Sequence, residues 1–216
     1  MLQVNSIDLH YGAAQALRNV SLSAEPGKVT CVLGRNGVGK TSLLDALAGQ
    51  HPVSKGEITF DGAYDLSRLD ETEIALLGVG RKFQKPTVFD MHTVEDNIGL
   101  ALKGDRRARK TLFWRESEEE ASRINRILEA IRLLPVRDRV AGSLAHGQKQ
   151  WLEIGMLLAQ EPKLLLVDEP VAGMTDAETR QTAELLKEIN RDRTVVVVEH
   201  DMTFVRERAG DAVTHG

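Results

Sequence analysis

The stretch Gly34-Arg35-Asn36-Gly37-Val38-Gly39-Lys40-Thr41, followed by Ser42, sets two glycines, a lysine and a hydroxyl at the spacing G-x-x-x-x-G-K-T. Glycines there permit backbone conformations that aim several N–H groups at one point, while Lys40 adds a mobile positive charge and Thr41 an oxygen for a metal ion. Polyphosphate with Mg²⁺ is the ligand that suits such a cradle. A second chemical group is Asp168-Glu169-Pro170, which follows the apolar run Lys163 to Val167. At such a strand end the first acid can hold Mg²⁺, directly or through water, and the second can polarise the water that attacks a terminal phosphate. An acid pair capping a helix is the plainer alternative.

Three further residues have both a chemical and a plain reading. His200 follows the apolar run Thr194 to Val198 and can touch a terminal phosphate, or serve the fold alone. Gln84, at the end of Gly78 to Phe83, can reach a metal ion or a catalytic water, although a lone glutamine is usually a surface residue. Tyr11 can stack on an adenine base or cover the edge of a sheet. His146 has no second ligand at helical spacing, so histidine-based metal binding has no support.

These residues need a sheet and helices to hold them. Leu2, Val4, Ile7 and Leu9 alternate imperfectly, Leu17 to Leu22 makes a second strand, and Lys28 to Leu33 is a continuous buried run feeding the glycine loop. Lys40 to Gly49 then reads as a helix, so the loop lies between strand and helix as a phosphate cradle requires. Gly56 to Asp61 is another short strand. Residues 93 to 140 change character: Thr93 caps a helix holding Val94, Ile98 and Leu102, and a second helix spans about Glu118 to Leu134. Between them, Arg106 to Lys110 reads as a solvated loop, because the acidic run Glu116 to Glu120 cancels its field. A helix from about Gln148 to Gln160 follows Leu144-Ala145-His146-Gly147-Gln148, whose small residues leave N–H groups and a positive dipole end for an anion.

At 216 residues the chain suits one domain with an inserted subdomain, and its net charge of −4 gives no support to nucleic-acid binding. The single cysteine, Cys31, lies in a buried apolar run, which suits a reducing compartment and disfavours a reactive thiol. No apolar run of about 18 residues is present, and Met1 to Asn5 lacks the order of a secretory signal, so the chain is expected neither to span a membrane nor to be exported by itself.

In this order the motifs resemble the ATP-binding subunit of an ABC transporter over essentially the whole chain to about residue 205. The resemblance implies an α/β P-loop NTPase core, mainly a parallel sheet flanked by helices, with N-terminal antiparallel strands and an inserted α-helical subdomain. The core would occupy roughly 1–90 and 160–216, and the helical subdomain roughly 91–159. It further implies that Tyr11 stacks on adenine, Gly34 to Ser42 hold ATP, and Thr41, Gln84 and Asp168 bind Mg²⁺. Glu169 becomes the catalytic base, His200 the switch histidine, and Leu144 to Gln148 the signature that faces a second subunit's nucleotide. Catalysis would rest on Lys40, Gln84, Glu169 and His200.

The wording of Gly80 to Pro86, Gly147 to Glu153 and Pro170 to Thr175 resembles the branched-chain amino acid and urea uptake type, the urea type most closely. Such importers pair two different ATPase subunits; residues 1 to 60 look like one of them, and residues 78 to 201 like the other. The implied partners are a second ATPase subunit, identical or not, transmembrane permease subunits and, indirectly, a solute-binding protein. The implied place is the cytoplasmic face of the inner membrane. A soluble non-transport ABC ATPase, or a catalytically impaired nucleotide-binding module, is the alternative. Ala145-His146 stand where the signature usually has Ser-Gly, and Thr175 where an aspartate is common.

Overall fold

The computed structural model describes residues 1–35, 37–82, 88–102, 118–200 and 212–214. It divides into two compact units, Met1–Gln84 with Pro162–Gly216, and Lys85–Glu161. The stretch Lys103 to Lys110 lies outside the described residues.

In the first unit, β1 (Leu2–Tyr11) and β2 (Ala14–Ala24) form an antiparallel hairpin extended by β4 (Lys55–Phe60) and the short β5 (Tyr64–Asp65), in the order β2-β1-β4-β5. Imperfect alternation in β1 has a structural counterpart: the register slips between Asn5 and Asp8, and Ser6 adopts φ 50 there. Gly56 on β4 passes so close to this bulge that a Cβ would lie 2.5 Å from the Asn5 carbonyl oxygen, at φ +86.

The second sheet of this unit is parallel, in the order β6-β7-β8-β3-β9, from β3 (Val29–Leu33), β6 (Val79–Lys82), β7 (Leu164–Asp168), β8 (Thr194–Glu199) and β9 (Ala212–Thr214). The residues of β7 and β8 are all buried, which is why they read as unbroken apolar runs rather than alternations. Helix α1 (Lys40–Leu47) packs Leu43, Leu44 and Leu47 into a core shared with Leu2, Ile58 and Phe60 of the antiparallel sheet and Leu164, Leu166, Val196 and Val198 of the parallel one.

Helices α2 (Glu71–Leu76) and α6 (Asp176–Ile189) are additional to the expected elements, yet each opens on a capping box, Asp70 with Glu73 and Thr175 with Glu178. Thr175 therefore has a local task of its own: its hydroxyl accepts from the Glu178 N–H.

In the second unit, Thr93 caps α3 (Val94–Ala101) by the same device, as expected, and α4 (Glu118–Ala130) buries Ile124 and Leu128. Helix α5 (His146–Leu158) begins two residues before the expected Gln148, because the Gln148 side chain reaches back to accept from the Ala145 N–H at 3.1 Å. Among the described residues no helix is long and apolar enough to cross a membrane.

Gly56→Ala should destabilise the protein by about 2–4 kcal/mol, since a left-handed φ and a backbone overlap act together. Denaturant titration reads this as a lowered midpoint.

Candidate functional site

The C-terminal edge of the parallel sheet carries the chemistry, as open α/β sheets do. The loop after β3 delivers Gly39 as the N-cap of α1 at φ 94, where a Cβ would overlap the Ala16 carbonyl oxygen at 2.5 Å. Gly39 has no capping side chain, and no acidic residue stands in the first turn, so the N-terminal N–H groups and the positive end of α1 are left for an anion. Lys40 is 8% exposed, and its Nζ donates to the carbonyl oxygens of Gly34 at 2.6 Å and Arg35 at 3.1 Å. The ammonium thus closes the loop on itself at the spot where phosphate oxygens would replace the carbonyls. Arg35, Gly37, Val38, Thr41 and Ser42 belong to this same loop and helix start; Asn36 lies outside the described residues.

Asp168 ends β7 beside β8 and is 1% exposed. Among the described residues neither of its carboxylate oxygens meets a donor in full hydrogen-bond geometry. Burial pushes its pKa up, against the pull of the nearby Thr41 hydroxyl and the Arg81 charge. A buried, unpartnered carboxylate beside a hydroxyl is a costly arrangement without a cation, and two hard oxygen donors match Mg²⁺. The residues present therefore fit that ion, which Thr41 and Asp168 would hold; Gln84 lies outside the described residues.

Glu169 has φ 45, a left-handed conformation that costs a non-glycine residue about 1–2 kcal/mol. Its N–H donates to the Val198 carbonyl at 2.9 Å and its carbonyl accepts from Ala172 at 3.3 Å. The side chain is thereby aimed so that Oε1 lies 3.3 Å from Nδ1 of His200. The structure thus brings together Lys40, Thr41, Asp168, Glu169 and His200 in one unit. The signature candidates Leu144 to Gln148 lie in the other, where Ala145 caps α5 without a side-chain acceptor and Leu144 is buried.

A charged network behind α1 was not foreseen. Asp45 Oδ1 lies 2.6 Å from Arg81 Nη2 with both side chains largely buried, and its Oδ2 accepts from the Tyr11 hydroxyl at 2.9 Å. Arg81 also donates to Gln50 Oε1 at 2.5 Å, and Gln50 to Glu71 at 3.0 Å. Tyr11, 39% exposed, meets the His51 ring edge-on at 4.7 Å, and burial chiefly, then the Asp45 carboxylate, pushes its phenol upward against Ser42 and Arg81. These pairs join residues far apart in sequence, and no local pattern marks them. Cys31 is no nucleophile: burial and the Glu199 charge push its thiol up to about 11.

The ABC transporter family model matches residues 17–172. The chain is 33% identical over 214 residues to the high-affinity branched-chain amino acid transport ATP-binding protein LivG of Escherichia coli (strain K12), covering 95% of this chain and 84% of that protein. It is 34% identical to the methionine import ATP-binding protein MetN of Cupriavidus metallidurans, over 91% of this chain and 56% of that one. The crystal structure of the ADP conformation of an ATP-binding cassette from an ABC transporter superposes with a TM-score of 0.84 at 29% identity, covering 99% of this chain and 86% of that one.

Arg81→Met should cost about 3 kcal/mol by leaving a buried Asp45 charge unpaired. Adding Asp45→Asn should recover part of that loss in denaturant titrations, because the stranded charge is then gone.

Proposed function

The chain belongs to the ABC transporter family of ATP-binding subunits, and from that premise we propose that it powers an importer of a small polar solute, a branched-chain amino acid, urea or a similar amide. It is an ATPase that uses ATP with Mg²⁺ and works with membrane permease subunits. Its place, in this reading, is the cytoplasmic face of the inner membrane, beside a second ATPase subunit that is identical or closely related and, indirectly, a solute-binding protein. The wording of Gly80 to Lys82 and Pro170 to Thr175 supports the solute class, as does the likeness to LivG.

The chemistry follows from the atoms. Lys40 exchanges the Gly34 and Arg35 carbonyls for β- and γ-phosphate oxygens, while the first N–H groups of α1 receive the same anion. Thr41 and Asp168 would hold Mg²⁺, which would supply neutralisation of the phosphate charge. Glu169 accepts a proton from a water as that water's oxygen bonds to the γ-phosphorus and the bond to the β–γ bridging oxygen breaks, giving ADP and phosphate. His200 holds the Glu169 carboxylate and lies where it can sense the departing phosphate. Leu144 to Gln148 of one subunit close on the nucleotide of the other. There Ala145 contributes no hydroxyl, so the Gly147 backbone and the positive end of α5 carry that contact.

The single observation that carries this reading is the 3.3 Å approach of His200 to Glu169, one residue beyond a buried and unpartnered Asp168. Glu169→Gln should lower the rate of phosphate release at least about a hundredfold while ATP still binds. Full turnover by that variant would overturn the role of Glu169.

A further inference from the structure

Glu199 ends β8 and is 0% exposed. Its neighbours along the strand, Val195 to Val198, are all valine, so an apolar side chain here would be the cheaper choice for burial alone. A carboxylate withdrawn from water must find donors, and the donors it finds are informative. Oε1 accepts from the Val171 N–H at 3.2 Å and Oε2 from the His200 N–H at 3.1 Å. Val171 lies two residues beyond Glu169, in the turn that Glu169 enters at φ 45; His200 bears the ring that meets the Glu169 carboxylate.

A left-handed glutamate holds only where its surroundings over-determine it. Two ties act on the backbone of Glu169 itself, to Val198 and Ala172. Glu199 adds a third, on the next turn of chain, and is bonded through its second oxygen to the histidine's own backbone.

We propose that Glu199 is a positioning residue: its buried carboxylate staples the Glu169-Pro170-Val171 turn to the His200 backbone at the end of β8 and so sets the approach of Glu169 to His200. The inference rests on the reading of Glu169 as the base. It assigns Glu199 no contact with nucleotide, metal ion or water. Loss of the staple lets the Glu169 carboxylate drift, and a displacement of about 1 Å is enough to slow a positioned reaction by up to about a hundredfold.

Glu199→Gln keeps the shape and one acceptor oxygen but turns an amide NH₂ toward one of the two N–H donors. In the full chain, kcat for ATP hydrolysis should fall at least about tenfold, while the ATP dissociation constant measured by calorimetry stays within about twofold. Placed on Glu169→Gln, the same change should slow the residual rate no further. A Glu199→Gln variant that turns over like the wild type, or that loses affinity in step with rate, overturns the proposal. Wild-type turnover by Glu169→Gln alone overturns the assignment of the base instead. Should Glu199→Gln fail to fold, Glu199→Asp keeps the charge and withdraws it by one methylene. It too should slow turnover at unchanged affinity, and a wild-type rate in it is equally decisive against the staple.

Discussion

Lys40 brings a positive charge into a site where little water reaches it, and its ammonium answers by donating to the carbonyls of Gly34 and Arg35. That pairing constrains its surroundings. The carbonyls point inward only because the loop turns sharply between β3 and α1, and Gly39 can cap the helix only because no Cβ strikes the hairpin of the antiparallel sheet at Ala16. Leu43, Leu44 and Leu47 then anchor α1 in the core shared by the two sheets. A bound phosphate offers the same ammonium stronger, charged acceptors in place of neutral ones.

Buried charge is treated in two opposite ways within this unit. Asp45 has both oxygens engaged, with Arg81 on one and Tyr11 on the other, and it ties the end of β1 to β6. Asp168 meets no hydrogen-bond donor in full geometry among the described residues, and burial raises its pKa. The first arrangement is complete as it stands; the second has the oxygen donors a cation would need. Glu199 stands with the first group, since its oxygens accept from the backbone N–H groups of Val171 and His200.

How much of this can be read from the chain depends on the range of the interaction. The strands β3, β7 and β8 are legible because burial on both faces leaves largely apolar runs, and the cradle is legible because its spacing is local. The motif residues Lys40, Asp168, Glu169 and His200 converge because parallel strands end at one edge. Helix α6 escapes notice because its buried face includes Thr179, Thr182 and Ala183, which dilute the apolar period, although the Thr175 and Glu178 capping pair was there to see. The Asp45–Arg81 pair and the staple at Glu199 join residues brought near by packing alone. The left-handed backbone of Glu169 has no signal in residue type either, since glutamate is not a residue that favours it.

The central claim is that the cradle around Lys40 is one wall of a site completed by Leu144 to Gln148 of another subunit. Sedimentation of the full chain at high concentration, with ATP and a chelator that removes divalent cations, tests this most directly, because nucleotide is then bound but not consumed. With ADP the chain should sediment at 23.9 kDa; with ATP it should sediment at about twice that mass, by itself where the partner is identical or on addition of the closely related ATPase subunit where it is not. A chain that binds ATP yet stays at the smaller mass, both alone and mixed with the closely related ATPase subunit, would contradict it.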